Sequence, residues 1–447
     1  MENDRKAWEA LRDTATSVVF LSQRPGGMWS LPTSDFDLLQ PGAAPGSKEL
    51  PIRKREKFGY PSITVSWIAL RGLRASLGRI PDQARQVLTE LAEFKSPRAA
   101  YGSQASRHRG SPSINESPRH TATALLLLME FGTAAYPPSD LLPSIRWLLS
   151  KRMPGTGWRF EDHAERMGPI ATATSLAALT RFTALASPEN WGPELAKALE
   201  TAVDEGLNAL ISSAANGVWD CSDEGRFRST EISDSAFVIW VLGQATNASA
   251  SPLQSRRSSD IRRLRRDLLS RCVGDGWPRS TADRTASAPA TVWVLRMVAE
   301  AAEDDPMIDY QDLITRANLH LINEMSQHDT WRGFEMWDWA ALAELASSHT
   351  GAMSERTQNR LWWALVGVNE LHGKGLLTRA DIERMPLAAR PAIEYCLTQG
   401  GRLALARGPV ERWWKTCPEW QRALGTLLAG AVLGQLARGL VQALHLW

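Results

Sequence analysis

Six times along the chain a helical-looking run ends in a short polar turn followed by one large aromatic residue, and the interval between these aromatics hardly changes. The stretches are QRPGGMW ending at Trp29, SPRAAY at Tyr101, RMPGTGW at Trp158, SAANGVW at Trp219, CVGDGW at Trp277 and SQHDTW at Trp331. From Tyr101 onward the aromatics succeed one another at 57, 61, 58 and 54 residues, and the first interval, 72, carries an insertion. A fixed period of this size marks an architecture in which one supersecondary unit is repeated and each copy buries its apolar face against its neighbours.

The segments downstream of the aromatics are as regular as the spacing. After a loop comes a run of small and apolar residues: SITVSWIALRGL, HTATALLLLMEFG, IATATSLAALTRF, SDSAFVIWVLGQA, APATVWVLRMVAE and MWDWAALAELA. These are apolar nearly all round, as helices covered on both sides must be, and they are expected to form an inner layer. Between them lie amphipathic segments with one polar face, such as PSDLLPSIRWLLSKR and PELAKALETAVDEGLNALI, expected as an outer layer. Almost no segment alternates as a strand would. The fold class is therefore all-α, with six helix pairs of about 55 residues each; periodicity alone leaves an open solenoid and a closed ring equally allowed.

Composition narrows the function classes. Lys and Arg number 51 against 49 Asp and Glu, so no overall field is built to hold nucleic acid. The four cysteines, Cys221, Cys272, Cys396 and Cys417, form no C-x-x-C pair, which fits a reducing, cytoplasmic setting better than a disulfide framework. The charged start MENDRKAWEA has no apolar signal-like core. Nineteen tryptophans stand out; each brings a large apolar surface and one N–H that needs a partner, suiting cores and aromatic-lined cavities alike.

Gln23, Gly27 and Trp29 match the Q-x-x-x-G-x-W signature of terpene cyclases, and the small-residue inner helices resemble the D-x-D-D-T-A helix of those enzymes and its counterparts in protein prenyltransferase β subunits. The resemblance spans residues 5 to about 350. It implies an (α/α)6 toroid, in which inner helices surround an apolar cavity, with residues 351–447 as a helical extension. Asn216, Gly217 and Trp219 keep part of the signature, whereas Trp158 and Trp277 keep only its Gly-Trp end.

The resemblance also sets what chemistry to look for. Class II terpene cyclases protonate an alkene with the middle acid of D-x-D-D, a donor that needs a raised pKa and neighbouring carboxylates. Aligned on the Thr-Ala step, Glu231 and Asp234 of EISDSA fall on the outer acids, but Ser233 falls on the proton donor, and a serine cannot protonate an alkene. Asp35 and Asp37 have no following Thr-Ala helix, and EDDP at 303–306 reads as a solvated turn. Prenyltransferases hold zinc with Asp, Cys and His; Asp220 and Cys221 are of the right types, with His120 and His163 nearest as a third ligand, yet adjacent residues of an extended stretch point oppositely, and no metal site is assigned. No cofactor is implied. P-loop, H-E-x-x-H and G-x-S-x-G templates are absent.

In the implied ring, the N-terminal ends of the inner helices bring Tyr60, Arg119, His120, Trp337 and Trp339 to the cavity rim as ligand-binding residues, with Glu231, Asp234 and Asp338 as the candidate catalytic acids. Two features lie outside it. Residues 255–271 hold seven arginines, with Ile261, Leu264 and Leu268 expected to be buried and Arg262, Arg263 and Arg266 to face out, a surface for an anionic membrane, a nucleic-acid backbone, an acidic partner or plain solvent. The C-terminal segment 423–447 has an uncharged run of 15 residues, Ala423 to Ala437, interrupted by Arg438 and flanked by Trp413, Trp414, Trp420 and Trp447. That run is short of the roughly 18 to 20 residues of a spanning helix; a closing helix of the toroid, a helix lying on a membrane and a span all fit it. Two functions remain: a non-enzymatic toroid that binds an apolar or isoprenoid-like ligand or a protein partner, at a membrane or free of it, and an atypical cyclase or prenyltransferase with a displaced acid.

Overall fold

A computed structural model describes residues 2–23, 27–29, 61–104, 114–133, 135–160, 166–186, 191–221, 231–247, 254–301, 308–325, 334–373, 377–384 and 390. Tyr60, Trp331, His163, Asp35, Asp37, EDDP at 303–306 and the segment 423–447 lie outside the described residues.

Among the described residues, twelve helices alternate between two layers. The outer ones are α1 (Glu2–Leu21), α3 (Gln83–Leu91), α5 (Pro138–Ser150), α7 (Pro193–Ser213), α9 (Gln254–Leu269) and α11 (Gln311–Met325). The inner ones are α2 (Ile63–Leu77), α4 (Pro118–Phe131), α6 (Pro169–Leu185), α8 (Glu231–Asn247), α10 (Ala288–Ala301) and α12 (Met336–Thr350). Each inner helix packs against the next, and α12 packs against α2, so the inner layer is a closed ring rather than a solenoid. Closure is made by the N-terminal helix, which lies against both α12 and α2 although more than three hundred residues separate it from α12. The fold is an (α/α)6 toroid.

The inner helices are buried nearly all round because each meets two inner neighbours and the outer layer at once. Along α6, for example, Pro169 to Thr180 are all buried. Outer helices show the one-sided burial of an amphipathic helix: in α9 Ile261, Leu264 and Leu268 are buried while Arg262, Arg263 and Arg266 are exposed, as the sequence predicts.

The turns are more ordered than the sequence suggests. Strands β1 (Gly102–Gln104) and β2 (Ile114–Glu116) pair antiparallel, as do β3 (Arg152–Met153) and β4 (Gly157–Trp158), and single bridges join Ala215 to Val218 and Val273 to Gly276. Strands of two or three residues are too short to leave an alternating pattern.

Each hairpin delivers its aromatic into a repeated staple. The indole N–H groups of Trp29, Trp158, Trp219 and Trp277 donate to the carbonyls of Val19, Leu148, Leu210 and Leu269 at 2.6, 2.8, 3.0 and 3.3 Å. Those carbonyls belong to the last turns of outer helices, where the i→i−4 donors run out; Leu148 and Leu269 also accept from the Lys151 and Cys272 backbones at 3.2 and 3.3 Å. The backbone N–H of the same aromatic, Tyr101 included, donates to a hydroxyl in the first turn of the next inner helix: Ser66, Thr121, Thr172, Ser235 and Thr291, at 2.9 to 3.1 Å. One residue thus ties the end of an outer helix to the start of an inner one. Glycine makes room for it. Gly27 sits at φ +116°, where a Cβ would also meet the Gln86 backbone at 2.8 Å, and Gln23 donates to its carbonyl at 2.7 Å. A Cβ on Gly157 would strike the Thr172 hydroxyl at 2.8 Å.

After α12, helix α13 (Glu355–Gly373) turns back onto α1. A second, small core of Met353, Leu361, Leu365, Val368, Leu377 and Ile382 packs against Phe20, Leu21 and Leu77, and the short α14 (Arg379–Glu383) adds Ile382 to it. Among the described residues no helix is long and apolar enough to cross a membrane.

Candidate functional site

The lumen of the ring carries one face from each inner helix, and its side chains differ from helix to helix. Trp67 of α2, Phe237 and Trp240 of α8, Trp293 of α10 and Trp337 of α12 occupy its middle level, all almost fully buried. Helices α2 and α8 stand opposite each other in the ring, yet the Trp67 and Trp240 ring centroids are only 5.6 Å apart. Phe237 sits edge-on to Trp293 at 5.5 Å, and Trp293 meets Trp337 at 6.0 Å. Such pairs add about 0.5 to 1.5 kcal/mol each beyond burial, so the cluster braces the ring across its diameter.

Toward the C-terminal ends of the inner helices the aromatics give way to charge. Arg71 of α2 donates to Glu130 of α4 and Gln244 of α8, both at 2.8 Å, and to Glu344 of α12 at 3.2 Å. Arg296 of α10 pairs with Glu344. Gln244 donates to Glu300 of α10 at 3.3 Å, and Trp67 donates its indole N–H to Glu130 at 2.7 Å. Arg74 of α2 and Arg181 of α6 approach Glu130 at 3.6 and 3.5 Å. Every inner helix therefore contributes to one network.

The guanidiniums also cover the aromatic faces. Arg296 lies 3.6 Å from the Trp240 centroid and 5.5 Å from that of Trp293; Arg71 lies 4.7 Å from Trp240 and 5.7 Å from Trp67. A ring face attracts a cation through its quadrupole, and here the chain supplies the cation itself. Electrostatics sort the network. Burial opposes charge on Glu344, but Arg296 and Arg71 outweigh it and hold its pKa at about 2. Burial pushes Glu300 up and Arg296 down, since their partners compensate only in part. For Arg71, burial is outweighed by Glu130, Glu344 and Glu300, which raise its pKa.

At the opposite, N-terminal mouth stand the residues singled out from sequence. Ser233 lies on the lumen face of α8, since Phe237, Trp240 and Gln244 follow it at helical spacing on that face. Asp234 is 2% exposed, directly before the staple residue Ser235, and Asp338 and His120 occupy the same register on α12 and α4. Asp338 accepts the Trp293 indole N–H at 2.7 Å and the Glu335 backbone N–H at 2.8 Å, the latter as part of a capping box at the start of α12. Glu231 turns instead to the loop after α9, accepting from the Thr281 backbone and hydroxyl at 3.0 and 2.8 Å. Asp338 and Trp337 thus meet the aromatic cluster through Trp293, whereas Glu231 is held away by Thr281. Trp339, fully buried, takes the staple position of α12 and lies tilted against Phe334, with ring centroids 4.9 Å apart.

Arg119 and His120 face the turn after Trp158: Arg119 lies 5.5 Å over Phe160 and His120 is 6.4 Å from the same ring. Burial and the Arg119 charge lower the His120 pKa to about 3, so the imidazole is neutral near pH 7. Cys221 is buried, and among the described residues no three His, Cys, Asp or Glu side chains converge as a metal site would need.

The residues that sequence reasoning missed are those of the charged network. They did leave a trace. Counted from the staple position, Arg71, Arg296 and Glu344 stand five residues on, and Glu130, Arg181, Gln244 and Glu300 nine residues on. Single polar residues in register within otherwise apolar helices mark two layers one helical turn apart on a shared face.

No family model matches the chain, and no curated protein does. Among solved structures, a type II terpene cyclase, MstE from Scytonema, is similar at 11% identity over 78% of this chain and 98% of that one, with a TM-score of 0.49. A polysaccharide lyase is similar at 10% identity over 67% of this chain and 90% of that one, with a TM-score of 0.45. The closed ring of helix contacts, stapled at its first turn by Gln23, Gly27 and Trp29, makes the chain an (α/α)6 toroid.

Proposed function

We propose that this protein is a non-catalytic binding or effector toroid, which takes an apolar or isoprenoid-like ligand, or a protein partner, at the N-terminal mouth of its ring. One observation carries the reading: the Trp240 face, of the sort that would steady a developing carbocation in a cyclase lumen, is held by Arg296 at 3.6 Å and Arg71 at 4.7 Å. A further cation on those faces would be repelled by the two already there. Ser233 at the donor register points the same way. Ser233, His120 and Arg119 at the N-terminal helix ends, above a floor of aromatic rings that includes Trp337, suit a ligand that rests on the ring rather than one threaded through it.

A second reading has its own support. Asp338 is buried, touches the aromatic cluster through Trp293 and shares its register with the buried Asp234, so an atypical cyclase or prenyltransferase acting on a polyprenyl diphosphate by carbocation chemistry is the alternative. Incubating the full chain with polyprenyl diphosphates separates the two. The binding reading expects quenching of tryptophan fluorescence on ligand addition with recovery of unreacted diphosphate. A cyclised or transferred product that disappears in Asp234→Ala or Asp338→Ala would overturn it.

A further inference from the structure

At the C-terminal mouth, on the side of α2, α4 and α6, three guanidiniums surround one carboxylate. Glu130 is 6% exposed, and both its oxygens are already bonded: Oε1 accepts from Arg71 at 2.8 Å and Oε2 from the Trp67 indole at 2.7 Å. Arg74 and Arg181 reach Oε1 only at 3.6 and 3.5 Å, beyond good hydrogen-bond length, and their side chains are each 36% exposed. Arg181 Nε is buried without a hydrogen-bond partner. Two partly exposed guanidiniums therefore flank a carboxylate whose short hydrogen bonds go to Arg71 and Trp67 instead. Burial, together with the like charges of Arg71 and Arg74, opposes the charge on Arg181, and Glu130 alone works the other way. Arg74 additionally rests on the Phe131 ring at 5.2 Å, which fixes its direction.

We infer that Arg74 and Arg181 form a binding site for a phosphate group at the C-terminal mouth of the ring, with Glu130 as the positioning residue beneath them. A tetrahedral dianion offers each planar fork a pair of oxygens, the geometry in which guanidinium outperforms ammonium. It also supplies the negative charge that the cluster lacks on this side. The site lies at the opposite end of the lumen from the N-terminal mouth, and it stands or falls independently of the ligand proposed there. The phosphate comes either from a free ion or from a lipid headgroup; Leu185, 47% exposed and one turn beyond Arg181, is an apolar neighbour for the second source.

Titrating inorganic phosphate into the full chain by calorimetry, at constant ionic strength, tests the site. Binding is expected with a Kd of about 1 mM or tighter, and Arg74→Gln or Arg181→Gln weakens it by about tenfold or more. Arg181→Lys, which keeps the charge and the fold, still weakens it because the fork is lost. Arg262→Gln, on the exposed face of α9, leaves it unchanged. Flotation with phosphatidic acid vesicles against phosphatidylcholine vesicles separates the sources: recovery on the former that Arg181→Lys abolishes assigns the headgroup, and calorimetric binding without flotation assigns the free ion. No saturable binding by about 1 mM phosphate, or equal weakening by Arg262→Gln and Arg181→Gln, would show that the two arginines only neutralise Glu130 and the helix C-termini, and would overturn the inference.

Discussion

The staples and the lumen are built on opposite plans. In the staples the same hydrogen bonds recur around the ring: an aromatic N–H to an outer-helix carbonyl, its backbone N–H to a Ser or Thr hydroxyl. In the lumen each helix brings a different residue, and Arg71 alone contacts three other helices. The staples hold neighbours together and so tolerate repetition; the lumen joins elements across the ring and so must be asymmetric. Stability should accordingly be modular in the first and collective in the second.

That contrast can be broken most forcefully at Glu130. Glu130→Ala takes one of its two carboxylate partners from Arg71 and leaves Arg74 and Arg181 without their counter-charge, and is expected to destabilise by about 3 to 5 kcal/mol in chemical denaturation. Replacing Arg296 and Glu344 together by Met should cost far less than either single change, because the pair's desolvation penalty disappears with its attraction. A double replacement that costs the sum of the two single ones would show that the lumen charges act separately.

In the staples, Thr172→Val leaves the Trp158 backbone N–H buried without an acceptor and should cost about 1 to 3 kcal/mol. Combined with Thr291→Val, the equivalent change two repeats on, the losses should add within about 0.5 kcal/mol, since the sites share no partner. Marked non-additivity would refute modularity. Trp158→Phe keeps most of the apolar surface and sacrifices the bond to Leu148, a smaller loss of about 1 kcal/mol.

Acid separates the two regions by window. His120, at the N-terminal mouth, has its pKa lowered from 6.5 to about 3, so the unfolded chain takes up the proton first and stability falls as pH drops from about 6.5 toward 3. Glu344, in the lumen, is lowered from 4.5 to about 2, so its contribution, present above 4.5, is lost as pH falls from there toward 2. His120→Leu should flatten the stability profile between pH 6.5 and 4.5 while sparing the steeper loss below; an unchanged profile would mean that His120 does not titrate on unfolding. The smallest effect is expected at Arg262→Ala on the outer face, within about 0.5 kcal/mol of wild type.

The staples were nearly readable from sequence. The Gly and Trp positions marked the turns, and the Thr-Ala step that served to align the inner helices turns out to hold the hydroxyl that the aromatic needs. The lumen was less so. Its arginines and glutamates look like stray charges in apolar helices until their partners, drawn from helices 59 to 273 residues away, are known. Glu231 and Asp234 illustrate the limit: three residues apart in sequence, they part company because Thr281 holds the first at the α9–α10 loop while the second is buried.

By itself the sequence determined the six-fold repeat, the two helix layers and the turn chemistry, because these rest on periodicity and on contacts between adjacent elements. Only the tertiary structure decided that the ring closes through α1 and α12 and that aromatic rings and guanidiniums meet across its centre. Closure and lumen filling depend on side chains that are distant in sequence and become neighbours only when the last inner helix reaches the first.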